Sequence, residues 1–365
     1  MGAAVSELTI LGTGLASSLG RDASTSCAAA RAGLSRSKPL VGLVDADPEL
    51  GESEPVNGHS VFGIPSSAQG VGRVSLLACA GLRDLFDRTD DLQGRKLRVI
   101  IALTDGFVYQ QWASLTEGEF DGYDEYLRGK LSRHLGDSIR HEFASNLGDC
   151  SIDVVFGGAT GVHDVLQMAY SLLQTQEIDV ALVGGVDSLV DPHFASVQSE
   201  MGLLKSASRP DGASPGEAAA FLAITNTSEG GTGTRAQICL SDKYFDPGVF
   251  AEEPALGIGT ASSLGAVYDA VSPNKEFRFL MTSGAGDFYR SNDLGCALSR
   301  LGDSAVAELP RVHVASHFGD TGAAVGFLAV VHALWLLSRP PIPESAALVA
   351  ISSLHGGRCA MSIST

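Results

Sequence analysis

No two cysteines stand close enough in this chain to suggest a clasp. Cys27, Cys79, Cys150, Cys239, Cys296 and Cys359 are scattered, with no CxxC and no Cys/His spacing that would hold zinc. That pattern predicts reduced thiols, mostly in the core, and excludes a disulfide framework. Basic residues are scarce: 25 Lys and Arg face 42 Asp and Glu, for a formal net charge of -17. Such a surface repels phosphate backbones and anionic lipid heads, which excludes nucleic acid and bare membrane as partners. A long apolar run is missing too. The most apolar stretch, Gly322 to Leu337, contains His332 and falls short of the ~20 residues that span a bilayer, so a buried helix is expected there and no membrane span. The first residues, MGAAVSELTILGTGLASSLG, have neither the basic start nor the continuous apolar segment of a signal peptide. A cytoplasmic protein is the expectation. No short-period repeat appears, which argues against a solenoid, and no motif calls for a cofactor or a metal.

With 365 residues, 44% of them hydrophobic and 18% charged, the chain can bury one large core or two joined ones. Its apolar segments follow the same grammar twice. The first half reads as strands at Leu8–Gly12, Arg98–Leu103, Ile152–Phe156 and Val180–Val183, with a last strand ending near Thr225. Helices are expected around Ala23–Ala32, Val74–Leu85, Glu117–His134 and His163–Gln174. In the second half, strands are expected at Ala236–Leu240, Phe277–Met281, Val312–Ala315, Ala347–Ser352 and Cys359–Ile363, alternating with helices at Ala261–Ala270, Leu294–Leu301 and Gly322–Leu337. Short apolar strands alternating with helices of similar length predict layered α/β with buried, largely parallel sheets. The run EGGTGT, Glu229 to Thr234, is the expected hinge between halves spanning residues 1–228 and 235–365.

Five segments carry a resemblance to the β-ketoacyl synthases. TGLASSLG near the start is similar to that family's TGxGxxxxxG opening, and IDVALVGGVDSLVDPHFASVQSEMGLL to the strand that ends there in a double glycine. ASRPDGASPGEAAAFLAI resembles SRPFD...DGFxxGEGAAxLxL, HVASHFGDTGAAVGFLAVVHAL the KSxxGHxxGAAG helix entry, and SSLHGGRCAMSI the closing NSFGFGGTN hairpin. Glycine-rich turns recur widely, but five in the family's order imply its thiolase-like fold: two pseudo-duplicated halves, layered α/β/α/β/α. The resemblance further implies a dimer and places the Val180–Val183 strand near the subunit interface.

It also locates where catalytic residues should stand, and they are missing. In the family a cysteine occupies a sharp turn between strand and helix, where the helix N-terminus lowers its pKa and makes it a nucleophile. Counting back from VLQMA, that position is Ala159 in the turn GGATG, and a slip of a residue or two would give Gly158 or Gly157. Gly284 and Asp320 stand where the two histidines belong, and Ala315 where the lysine belongs. Alanine holds no acyl group, and a carboxylate at Asp320 would oppose the negative charge of an enolate. The adjacent Thr160 has no visible base.

A replacement site could be drawn from His163, Asp287, His317, Asp320 and His355, the last at the position of a gating phenylalanine in the family. Histidines and carboxylates converging there would suit general acid/base chemistry or a His/Asp metal site, but no HxxxH, HxD or Ser/His/Asp spacing singles them out. The acidic segments from Asp45 and Glu117 read as solvated loops. Acyl carrier proteins are themselves acidic, so a chain at -17 is poorly suited to docking one directly, and a basic partner subunit suits it better. The resulting expectation is a ketosynthase-like protein without condensing activity, working as a homodimer or with a ketosynthase-like partner. Its alternatives are an acyl-processing enzyme in a remodelled pocket and a homodimeric scaffold.

Overall fold

The computed structural model describes residues 6–46, 53–89, 92–116, 125–226, 236–284, 286–339 and 345–365. The EGGTGT run lies outside them, as do most of both acidic segments. Among the described residues the strands are β1 (Ser6–Ser17), β2 (Lys38–Ala46), β3 (Ser53–Gly58), β4 (Leu97–Leu103), β5 (Ser151–Phe156), β6 (Val180–Ser188), β7 (Glu217–Asn226), β8 (Gln237–Leu240), β9 (Tyr244–Phe245), β10 (Glu276–Thr282), β11 (Arg311–His313), β12 (Ser345–Ser352) and β13 (Gly357–Ser364).

One large sheet runs β5-β4-β6-β7-β1 and continues β8-β13-β12-β10-β11, with β9 pairing β13 and β2–β3 forming a separate hairpin. The two runs repeat one plan. Taking the five main strands of each run in chain order, both are arranged third, second, fourth, fifth, first. In both, the outer three strands are parallel and the inner two antiparallel, and β1 pairs antiparallel with β8 where the runs meet. The sheets are therefore mixed rather than largely parallel, because the inner strands run against their neighbours.

Period-two alternation explains the layering. Along β7, Ala218, Ala220, Leu222 and Ile224 enter the main core, whereas Ala219, Phe221 and Ala223 enter a second core on the other face. Strands buried on both faces read as continuous apolar runs, as EAAAFLAIT does. The helices Gly161–Gln174 and Val325–Leu337 lie between the two runs in the main core. On the outer faces lie Gly70–Arg88 with Glu125–Glu142, and Ile258–Val271 with Phe288–Leu301. This is the expected five-layer thiolase-like arrangement.

The double glycine of β6 is a packing requirement. A Cβ on Gly184 would stand 2.2 Å from the Phe221 ring, and one on Gly185 would stand 2.3 Å from the Ala323 carbonyl oxygen. Because β6 is buried throughout and flanked by β4 and β7, Val180–Val183 is not at an edge. At that end of the sheet the edge belongs to β5, whose Ile152, Val154 and Phe156 are only half-buried. No disulfide forms among the described residues, and Cys27, Cys150, Cys239 and Cys359 are buried. Burial pushes the Cys27 and Cys359 thiols up to about 12, so neither is a thiolate at neutral pH. No helix among the described residues is long and apolar enough to cross a membrane.

Candidate functional site

Two helix entries meet at the centre of the molecule. Each central helix is preceded by a 3-10 turn, Gly158–Thr160 after β5 and Gly322–Ala324 after the loop that carries Asp320. Both turns touch each other, and both start at a left-handed glycine: Gly158 at φ 54° and Gly322 at φ 52°.

On the first turn, Ala159 packs against the main core. The apex is Gly158, whose Cβ, if present, would stand 2.5 Å from Asp105 Oδ2. Geometry thus moves the strained position of the turn one residue before Ala159. Asp105 follows β4 and is fixed by its own loop, with Oδ1 accepting the Phe107 N–H at 3.1 Å. Its Oδ2 lies 2.5 Å from His355 Nδ1, and Ser353 Oγ lies at the same distance from that nitrogen. Gly357, two residues on, has no side chain to separate His355 from Thr160: a Cβ there would stand 3.0 Å from His355 Nε2 and 2.7 Å from Thr160 Oγ1. Thr160 is buried, and its hydroxyl has no partner among the described residues. Thr160 and the His355 imidazole thus border the same point beside Gly357, with no hydrogen bond between them.

Under the second turn lies Asp187 at the end of β6. Its Oδ1 accepts the Ser188 N–H and its Oδ2 the Ala323 N–H, each at 2.9 Å. Burial, reinforced by Asp105 and Asp320, pushes this carboxyl up to about 7 despite those bonds. Gly322 must be glycine here, since a Cβ would stand 2.2 Å from Asp187 Oδ2.

Asp320 is not the free carboxylate the sequence suggests. Its Oδ2 meets Arg290 Nη2 at 2.5 Å, while Arg290 Nε donates to Asp287 Oδ2 at 2.7 Å. Burial opposes charge on Arg290, but Asp320 and Asp287 together hold it protonated far above its ordinary range, so Asp320 is ion-paired, although one guanidinium between two carboxylates leaves the triad net negative. Arg290, Asp287 and Asp320 line one wall of a cavity of about 370 Å³ that also touches Leu354, Gln198 and Arg209. Ala315 is buried at the start of a short helix. Gly284 follows β10 close to His313, whose Nδ1 is bonded to Thr282 Oγ1 at 2.8 Å.

A family model for the β-ketoacyl synthase N-terminal domain matches residues 146–230. Solved structures match along the whole length. The ishigamide ketosynthase/chain length factor shares 16% identity at a TM-score of 0.70, covering 98% of each chain. A type II polyketide synthase ketosynthase, solved with its acyl-carrier protein, shares 15% identity at a TM-score of 0.71, covering 99% of this chain and 100% of that one. A β-ketoacyl synthase from Burkholderia phymatum shares 14% identity at a TM-score of 0.68, covering 98% and 99%. The chain has the ketosynthase fold. No curated protein matches it.

In this ketosynthase-like chain the sequence-derived candidates do not converge. His317 Nδ1 contacts the Leu34 carbonyl at 3.1 Å, Asp320 is tied to Arg290 and His355 to Asp105, so the three share no partner. His163 faces Asp164 at 3.1 Å, and Lys243 holds the same carboxylate at 2.8 Å. Asp287 caps the helix Phe288–Leu301 through the Arg290 N–H. Among the described residues no cluster of three or more His, Cys, Asp or Glu could hold a metal ion. Sequence reasoning missed Asp105, Asp187 and Arg290. The first two carried a readable signal, as polar residues at or just beyond the C-terminal ends of buried parallel strands, where α/β sheets place their sites.

Proposed function

We propose that this chain is a non-condensing ketosynthase-like protein that serves as a structural or regulatory partner in a fatty-acid or polyketide-type pathway in the cytoplasm. One observation carries the reading. The strained strand-to-helix turn presents Gly158, and the space its side chain would need is taken by Asp105. A nucleophilic elbow needs a side chain at that apex, and neither Gly158 nor Ala159 has one that can hold an acyl group. Gly284, Ala315 and Asp320 supply no neutral donor pair for an enolate.

A ketosynthase/chain length factor and a carrier-protein complex stand among the structures of the same fold, which favours a paired role. The half-buried strand β5 at the end of the sheet among the described residues is the surface for pairing: a sheet edge with apolar residues invites a second strand, from another copy or from an intact ketosynthase. A net charge of -17 favours a basic partner over direct docking of an acidic carrier protein. The test is affinity capture of the chain from its native host with mass spectrometry of the captured proteins, alongside intact mass after incubation with acyl thioesters. Recovery of a ketosynthase and no mass increase support the reading. Stable acylation at residues 157–160 refutes it.

A further inference from the structure

The central turn that has no nucleophile has an imidazole and a carboxylate in its place, and we propose that Asp105 and His355 form a general-base dyad that hydrolyses a neutral acyl ester or thioester. The dyad goes beyond the partner role and takes from that reading only the acyl class of substrate.

Three observations support a working pair rather than a surface ion pair. Both members are held: Asp105 by the Phe107 N–H at 3.1 Å, and His355 by Asp105 Oδ2 and Ser353 Oγ on Nδ1, each at 2.5 Å. Both polar side-chain contacts of His355 fall on Nδ1, and Nε2 has no hydrogen-bond partner among the described residues. This is the arrangement in which a carboxylate orients an imidazole and leaves its other nitrogen to accept a proton. Second, glycines let these side chains crowd together: a Cβ on Gly357 would stand 3.0 Å from His355 Nε2 and 2.7 Å from Thr160 Oγ1, and one on Gly158 would stand 2.5 Å from Asp105 Oδ2. Third, the Thr160 hydroxyl is fully buried without a partner, which is costly unless something accepts from it. In the proposed reaction it donates to the oxygen that gains negative charge.

The site remains reachable, since the two side chains are 21% and 24% exposed. Its surroundings select the substrate. Phe107 and Phe245 flank the imidazole at ring-centroid distances of 6.0 and 6.3 Å. With Asp105 close by, an anionic reacting group is repelled, whereas an uncharged acyl group is not. In the reaction, Nε2 takes a proton from water as the water oxygen bonds to the carbonyl carbon. The carbonyl π electrons pass to its oxygen, which accepts from Thr160. Collapse of the adduct breaks the bond to the leaving oxygen or sulfur, and the imidazolium returns its proton to that group. Ester and water give acid and alcohol or thiol.

The test follows p-nitrophenyl acetate and acetyl-coenzyme A hydrolysis by the full chain across pH 5 to 9. Expected is a rate roughly 100-fold or more above buffer, as general-base catalysis supplies. It should be lost in His355→Gln and unchanged in His317→Gln. Asp105 acts through His355, so Asp105→Asn should lower kcat with KM kept and Asp105→Glu should restore part of the rate, a split that a merely structural role would not produce. Thr160→Val should lower kcat with KM kept. Equal melting curves identify variants that fold, and if His355→Gln fails that check, the Asp105→Asn and Asp105→Glu rates decide. A wild-type rate equal to buffer, or full activity in folded His355→Gln, overturns the dyad. Either result leaves partner capture untouched, so the two readings fail separately.

Discussion

His332 should set how the protein responds to mild acid. It lies in the central helix Val325–Leu337, 2% exposed, its ring edge-on to Phe318 with centroids 5.9 Å apart. Neither ring nitrogen has a partner among the described residues. Burial, with a smaller push from His317, brings its pKa down from the ordinary 6.5 to about 4. In the unfolded chain the imidazole protonates near 6.5; in the folded chain it does so only near 4. The unfolded state therefore binds more protons across that window, and stability falls as pH falls through it. The stability is intact above 6.5 and fully lost below about 4, and at 1.36 kcal/mol per pH unit the loss between pH 7 and pH 4.5 is about 2.5 kcal/mol. His332→Leu removes this contribution and also removes two unpaired polar atoms from the core, so the variant should be the more stable protein even at pH 7. Other titrating groups, including His59, whose pKa burial also lowers, act in both proteins and cancel in the difference. Urea unfolding of both at pH 7 and pH 4.5 gives the comparison. If wild type and variant lose the same free energy between the two pH values, the reasoning is wrong.

Gly158→Cys should neither condense nor become stably acylated, because its side chain meets Asp105 and the donors are still missing; carbon–carbon bond formation in a malonyl-donor assay would show that the elbow is misassigned. Wild type should run in light scattering at about twice its 37.8 kDa, alone or with a partner. Val154→Lys on the β5 edge should halve that mass, and an unchanged mass would remove β5 from the interface. Glu217 is fully buried and accepts from Arg73, Ser188 and the Val61 N–H. Breaking that pair with Glu217→Gln should cost about 3–5 kcal/mol, read as a lower urea midpoint; a loss under about 1 kcal/mol would mean the network is not a buried ion pair in solution.

Regular elements were the most legible part of the sequence because apolar periodicity survives without context. The strand expected at Val180–Val183 and the helix at His163–Gln174 correspond to β6 and Gly161–Gln174. Strand Val312–Ala315 stops at His313, since Val314 and Ala315 turn into a short helix over the Thr282 carbonyl. The hairpin of β2 and β3 was not read: its apolar residues are few, and exposed Val41 and Val44 break the alternation. Site chemistry was harder to read because contact there is long-range. Asp105 and His355 are joined across most of the chain by a hairpin closing over a loop, and no spacing rule records that meeting. The turn itself was visible in GGATG, but which glycine carries the strain depends on a backbone angle.

The pairing of β1 with β8 has a consequence for how the chain holds together. Each half completes the other's sheet, so a backbone cut between Asn226 and Ala236 would break continuity while leaving β7 and β8 whole. Two pieces made separately from those halves should find each other and rebuild one continuous sheet. Apart, each would expose the inner edge strand, and the main core lined by both central helices would be opened to water. The duplicated plan thus makes the halves obligate complements: fragment reconstitution should be possible, whereas independent survival of either half should not.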